Sequence, residues 1–390
     1  MSDFSLAQPL RDALFRLESE GQRRRRIVAD SAVAPRMTVA GQPVLAFASN
    51  DYLGLADHPE IKAAFAEAVL RWGAGSGASH LVSGHLWPHE ALEAQLARFV
   101  GFERALTFSS GYLANLAVTP TLAAGRADAI FADKLNHASL IDAMALTRAE
   151  HHRYPHGDTA ALEKLLAASS ATTKLIVTDA VFSMDGDLAP LPELFDLAER
   201  YDAWLVVDDA HGFGVLGEKG RGSLSHFGLP AHPRLVLMGT LGKAAGVSGA
   251  FVAASATVID YLIQKARSYI FTTAQPPACA AALLASLALI EAADDRRAQL
   301  QRLIAQLQRG LADTPLRLVP SPTAIQPVIV GENDALLRLS QKLWERGLWV
   351  GAIRPPTVPK GTSRLRISLC AAHQEEDLAR LIDALREECL

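Results

Sequence analysis

Residues 203–214 read AWLVVDDAHGFG, and residues 234–246 read RLVLMGTLGKAAG. Each is a short run rich in valine and leucine that breaks abruptly into polar residues and glycine. KLIVTDAVFSMDGD (174–187) repeats the design. A strand buried on both faces is apolar at nearly every position, so three such runs in succession predict a mostly parallel sheet covered by helices. Helix-periodic segments such as PLPELFDLAERYD (190–202) lie between them, as a parallel connection requires. The fold class read from this stretch is α/β.

Working outward, ACAAALLASLALIEAADD (278–295) predicts a long helix that leads out of this unit. The remainder alternates strand and helix again, in TAIQPVIVG, NDALLRLSQKLWERG, RLRISLCAAH and EEDLARLIDALREEC. At the other end, Leu6, Leu10, Leu14 and Leu17 recur every three or four residues. They predict a helix over residues 1–30 that ends in the basic run Arg23–Arg26. Two short strands, MTVAG and PVLAFASN, follow around a turn at Gly41. The chain therefore divides into an N-terminal arm (1–49), a large α/β domain (50–290) and a smaller C-terminal α/β domain (291–390).

Composition narrows the function. A length of 390 residues suits two or three units at about 150 residues each. With 49% hydrophobic and 21% charged residues, the chain is an ordinary globular one. Thirty-eight basic against 42 acidic residues leave a net charge of −4, which offers nucleic acid no basic surface. Cys279, Cys370 and Cys389 form no Cys-x-x-Cys pair, which argues against a disulfide framework and a cysteine zinc site. His151, His152 and His156 fall in a charged, loop-like stretch, and no metal is assigned. The N-terminus has no apolar signal core, and no run approaches the roughly 18 apolar residues of a membrane span. A cytoplasmic protein is expected.

Ligands of open parallel sheets sit at the carboxyl ends of the strands. Here those ends carry Ser183, then Asp208, Asp209 and His211, then Thr240 and Lys243. Lys243 is one of nine lysines and lies among Gly239, Gly242, Gly246 and Gly249. It is either a solvated lysine or one held close to a flat ligand, where a lowered pKa suits Schiff-base chemistry. Gly242-Lys243 is also compatible with a phosphate loop. However, that motif requires a glycine where Leu237 stands and a Ser or Thr where Ala244 stands, so an ATPase is the weaker, out-of-class alternative. Asp208 either bonds nearby backbone amides or faces a protonated heteroaromatic nitrogen. Pyridoxal phosphate offers such a nitrogen together with a lysine Schiff base.

Asp208-Asp209-Ala210-His211-Gly212 followed by Thr240-Leu241-Gly242-Lys243 resembles the α-oxoamine synthases, fold-type-I pyridoxal-phosphate enzymes of the aspartate aminotransferase class. The resemblance continues through SNDYLGL (49–55), GSGASHLVSG (75–84), FSSGYLAN (108–115), NHASL (136–140), VFSMDGD (181–187) and RPPTVPKGTSRLRISL (354–369). It implies that Lys243 carries pyridoxal 5'-phosphate and moves the proton, and that Asp208 pairs with the pyridine nitrogen. It further implies that His211 and Ser183 bond the ring oxygen and that His137 stacks on the ring. Gly111, Tyr112 and Thr240 would take the phosphate, joined by Thr272 and Thr273 of a second subunit in a homodimer. For substrates it implies Arg366 and Asn50 at an amino-acid carboxylate, and Arg24 and Thr357 at the acyl chain. The run Arg23–Arg26 leaves the register of Arg24 open by one residue.

The family's biotin-pathway branch is the most similar. It implies a decarboxylative condensation of L-alanine with a pimeloyl thioester of coenzyme A or acyl carrier protein. The alternative within the family is a glycine-using acyltransferase. Asp179 stands where a close relative carries glutamate, and its role is open. His80 and Leu81 are assigned none.

Overall fold

The computed structural model describes residues 7–388, so Leu6 and Cys389 lie outside the described residues. In chain order the strands are β1 (Arg36–Val39), β2 (Gln42–Phe47), β3 (Arg104–Phe108), β4 (Asp128–Asp133), β5 (Glu150–Tyr154), β6 (Thr173–Asp179) and β7 (Ala203–Asp208). They continue as β8 (Leu235–Thr240), β9 (Ala250–Ala254), β10 (Arg317–Leu318), β11 (Ile325–Gly331), β12 (Leu348–Ile353) and β13 (Ser363–Ser368). The chain folds into two compact units, and the larger comprises Asn50–Ser183 and Asp187–Gln299.

The larger unit holds a seven-stranded sheet in the order β3-β9-β8-β7-β6-β4-β5. Only β9 runs against the others. The three runs that predicted a parallel sheet are its adjacent central strands β6, β7 and β8, paired in parallel. Ile176, Val177, Leu205, Val206, Val207, Val236 and Leu237 are buried there. Each such side chain contributes roughly 1.5–3 kcal/mol by leaving water. The helix Pro277–Glu291 packs on Pro59–Trp72 and Trp87–Val100. It is apolar almost all round, as a helix buried on most sides must be. The helix expected over 278–295 stops at Glu291, and a separate helix begins at Asp294. His151 and His152 lie on the edge strand β5 rather than in a loop, where His152 stacks on Phe131.

The smaller unit joins the chain up to Ser49 with Met184–Gly186 and Leu300–Leu390. The N-terminal arm and the C-terminal segment are one body because β2 pairs in parallel with β12, inside the order β1-β2-β12-β13-β11-β10. The N-terminal helix is shorter than expected. It spans Gln8–Ser19 and ends at Gly21, whose φ of +63° takes the chain into the left-handed region. The amides of Gln22 and Arg23 both bond the Leu17 carbonyl, so Arg23–Arg26 follow the helix rather than finish it. Among the described residues, no single helix is long and apolar enough to cross a membrane.

Candidate active site

The parallel pairing of β6, β7 and β8 sets Asp179 beside Asp208, and Asp208 beside Met238. Three strand ends therefore deliver their polar residues to one edge of the sheet. The Asp208 carboxylate is 3% exposed. It accepts from the Asn115 carboxamide at 2.7 Å and from the Ala210 amide at 3.0 Å. Asn115 also donates to the Ser139 hydroxyl at 2.9 Å, and its Oδ1 is buried without a hydrogen-bond partner. Asp209 is fully buried and turned elsewhere. Its oxygens take the hydroxyl and the amide of Ser223, and burial pushes its carboxyl up to about 7. Gly212 and Gly222 press against it so closely that a Cβ on either would stand 2.1 Å from a carboxylate oxygen. Asp209 is a structural brace, and Asp208 is the carboxylate at the strand end.

Lys243 sits in a loop closed by two backbone bonds, Leu241 N–H to the Gly249 carbonyl and Gly246 N–H to the Lys243 carbonyl, both 2.8 Å. Its Nζ lies 2.9 Å from His211 Nε2. His211 Nδ1 lies 2.6 Å from the Tyr52 hydroxyl, which reaches Asn50 Oδ1 at 3.2 Å. The sequence assigned roles to Asn50, His211 and Lys243; Tyr52 and Asn115 were missed, although both stand inside motifs already quoted.

His137 caps the helix Ala138–Ala145. Its amide donates to Asp179 at 2.6 Å, and its Nδ1 meets the Ser139 hydroxyl at 2.7 Å. Burial, aided by the charge of Lys243, lowers the imidazole's pKa against the pull of Asp208, so the ring is held neutral. Asp179 is driven well above the carboxylate range by burial and by neighbouring Asp208. The Asp179 carboxyl is thus an anchor for the His137 backbone, which supplies the role that the sequence left open.

The helix Gly111–Leu122 begins directly after β3, with Ser110 as its cap. A Cβ on Gly111 would lie 3.5 Å from the Met238 side chain and 4.0 Å from the Thr240 hydroxyl, so the helix start and the end of β8 are neighbours. The Tyr112 side chain points away, to Asp142. Thr273 bridges to Ser79, and Ala274 N–H bonds the Ala78 carbonyl at 3.0 Å. Ser183 opens the turn between the bridged residues Val181 and Leu188.

Within the smaller unit, Arg366 is buried on β13 and donates to the Ser368 hydroxyl at 2.8 Å. Arg24 reaches the Thr357 hydroxyl at 3.2 Å, whereas Arg23 and Arg25 pair with Glu18. A cavity of ≈ 270 Å³ opens there, lined by Arg24, Arg25, Arg354 and Thr357 among others. Partial burial and the charge of Arg24 lower the pKa of Arg354.

Residues 42–385 match the family model of class I and II aminotransferases. The chain is 68% identical to an 8-amino-7-oxononanoate synthase of Dechloromonas aromatica over 97% of this chain and 98% of that one. The chain belongs to the 8-amino-7-oxononanoate synthase family. A crystal structure of the Francisella tularensis synthase superimposes with a TM-score of 0.77 at 33% identity, covering 88% of this chain and 97% of that one. A serine palmitoyltransferase solved with pyridoxal phosphate as its internal aldimine superimposes with a TM-score of 0.92 at 29% identity, covering 100% and 98%. The fold-type-I class expected from the motifs is therefore the observed one.

Proposed function

We propose that this chain is a pyridoxal-phosphate-dependent 8-amino-7-oxononanoate synthase of biotin biosynthesis, working in the cytoplasm as a homodimer. The observation that carries the reading is the pairing of Lys243 with His211 one strand away from the buried Asp208. The donor set suits the cofactor. Asp208 is a buried carboxyl group whose hydrogen-bond partners are neutral, and among the described residues no ion pair meets it, which suits a site built for a cationic ring nitrogen. The start of the helix at Gly111 lies beside Thr240, and helix N-terminal amides next to a hydroxyl are a suitable seat for a phosphate. When bound, pyridoxal phosphate supplies an electron sink for the carbon from which a proton is removed.

The chain's own residues do the rest. Lys243 Nζ would hold the cofactor until the amine of L-alanine displaces it, and the freed lysine amine would take the α-proton and later return one. Asp208 keeps the pyridine nitrogen protonated by placing a fixed negative charge beside it. His137, neutral and anchored by Asp179, would pack on the ring. His211 and Ser183 serve the ring oxygen. Arg366, with Asn50, takes the carboxylate of alanine as a planar fork. The alanine α-carbon then bonds to the thioester carbonyl, the thiol departs, and carbon dioxide leaves.

Arg24 and Thr357 receive the pimeloyl chain, whose distal carboxylate the cations around the ≈ 270 Å³ cavity complement. The hydrophobic residues Val82, Trp87 and Phe271 are 79%, 64% and 70% exposed. Phe271 adjoins Thr272 and Thr273, the two residues assigned to a partner's phosphate site, so these surfaces suit a subunit contact. Incubation with L-alanine and pimeloyl-CoA should yield 8-amino-7-oxononanoate, carbon dioxide and coenzyme A. Glycine in place of alanine should give far less product, and faster turnover with glycine overturns the assignment.

A further inference from the structure

We propose that Tyr52 is a positioning residue that sets the tautomer of His211 in the cofactor-loaded protein, so that His211 presents an N–H at Nε2 towards the cofactor's ring oxygen. The inference rests on the proposed site, in which His211 serves that oxygen. The phenol is 1% exposed, and its oxygen lies 2.6 Å from His211 Nδ1 against 3.2 Å from Asn50 Oδ1. A phenol has one proton to give, and a neutral imidazole carries one proton on its two nitrogens. If Tyr52 donates across the shorter contact, Nδ1 is the acceptor and the ring proton resides on Nε2; an ammonium has no lone pair to accept it, so this arrangement belongs to the state in which Lys243, 2.9 Å away, holds the cofactor and is no longer an ammonium. The carboxamide of Asn50 can then meet the phenol oxygen with its NH₂ end. If Tyr52 donates to Asn50 instead, Nδ1 carries the proton and Nε2 presents a lone pair. The first arrangement supplies a hydrogen-bond donor to a ring oxygen; the second opposes it.

The support beneath Tyr52 is rigid, as a device of this kind requires. The Asp51 carboxylate closes the turn by accepting from Leu55 N–H at 2.8 Å and Ala56 N–H at 3.1 Å. Arg296 donates to the Leu53 carbonyl at 2.7 Å, and Leu53 and Leu55 are fully buried. Gly246, three residues beyond the lysine and at φ +69°, packs so tightly that a Cβ there would stand 2.6 Å from Ala56 N and the Leu55 carbonyl carbon. The segment bearing Tyr52 and the loop bearing Lys243 are therefore in direct backbone contact.

The test uses the holoenzyme. A donor to the ring oxygen favours the form with the lysine-bound nitrogen deprotonated, so it lowers the pH at which the visible band interconverts. In Tyr52→Phe that midpoint should rise by about half to one pH unit, the size of one net hydrogen bond. The cofactor's dissociation constant should rise severalfold, with the melting temperature little changed. His211→Gln should shift the midpoint in the same direction, and the double variant should shift no further than His211→Gln alone, since the two residues act in series. If His211→Gln moves the midpoint and Tyr52→Phe does not, the tautomer inference is wrong while the site stands. If Lys243→Ala still forms the covalent band, the site itself is wrong. Should Tyr52→Phe not fold, ¹⁵N NMR of histidine-labelled wild-type holoenzyme decides: Nδ1 of His211 must resonate as an unprotonated acceptor, and a protonated Nδ1 overturns the inference.

Discussion

Asp208 and Asp209 are adjacent and chemically identical, yet their surroundings give them opposite duties. Asp208 faces Asn115 and the Ala210 amide at the strand end, whereas Asp209 is enclosed by Ser223, Gly212 and Gly222. Asp208→Asn should keep the fold while losing at least about 100-fold in turnover, or ~2.7 kcal/mol of transition-state stabilisation, read in steady-state kinetics. Asp209→Ala should do the reverse. It strands the Ser223 hydroxyl and amide in the core and should destabilise by about 2–4 kcal/mol in urea, while the cofactor spectrum of the surviving folded protein stays unchanged. Equal kinetic losses in both variants contradict the division. Nothing in the DD dipeptide tells the two residues apart. β7 ends at Asp208, Asp209 turns into the loop beyond it, and only the packed neighbours tell the two carboxyl groups apart.

At the scale of elements, two titratable groups tie secondary structures together. His156 reaches Asp133 at the end of β4 at 3.0 Å and Asp187 at 2.8 Å, spanning to the turn that begins at Ser183. Both carboxylates raise its pKa to about 10. A histidine raised in the fold adds stability that is complete below its unfolded value near 6.5 and is lost as pH climbs to 10. His156→Gln should therefore cost about 1–3 kcal/mol near pH 6, and the gap should close by pH 10.5 in thermal melts. Glu93 behaves oppositely. It joins the helix Trp87–Val100 to β3 by accepting the Thr107 amide and hydroxyl, and burial pushes it to about 7. Its fold binds a proton that the unfolded chain has released, so stability falls between pH 4.5 and 7. Glu93→Gln keeps an acceptor without the charge. It should gain on the wild type by on the order of 1–3 kcal/mol between pH 5 and 8. A constant difference across that range contradicts the buried-carboxylate account.

At the scale of the whole molecule, the proposed homodimer makes a prediction that one subunit cannot satisfy. If Thr272 and Thr273 serve the partner's phosphate, then Lys243→Ala and the double variant Thr272→Ala, Thr273→Ala are each inactive or crippled alone. Co-expressed, they form mixed dimers with one intact site of two, so activity should return to about a quarter of wild type in the random mixture and about half in the purified mixed dimers. Purification with a distinct tag on each subunit, followed by product assay, checks this. No recovery in verified mixed dimers places the threonines in their own subunit's site or outside any site.

The apolar runs of β6, β7 and β8 by themselves determined a parallel sheet, because a strand covered on both faces must be apolar throughout. The spaced motifs carried the family. The tertiary structure decided what depends on neighbours distant in the chain. The arm is part of the smaller unit through the pairing of β2 with β12, which is a match of backbone edges that no side-chain pattern announces. Arg24, rather than Arg23 or Arg25, meets Thr357, because Gly21 turns the chain and Glu18 takes the other two. Tyr52 and Asn115 read as helix- or strand-flanking residues like any others. They acquire meaning when folding brings a phenol from residue 52 against His211 and a carboxamide from residue 115 against Asp208. Sequence periodicity reports which face of an element is buried; which polar atoms meet within hydrogen-bonding range is settled only when the elements pack.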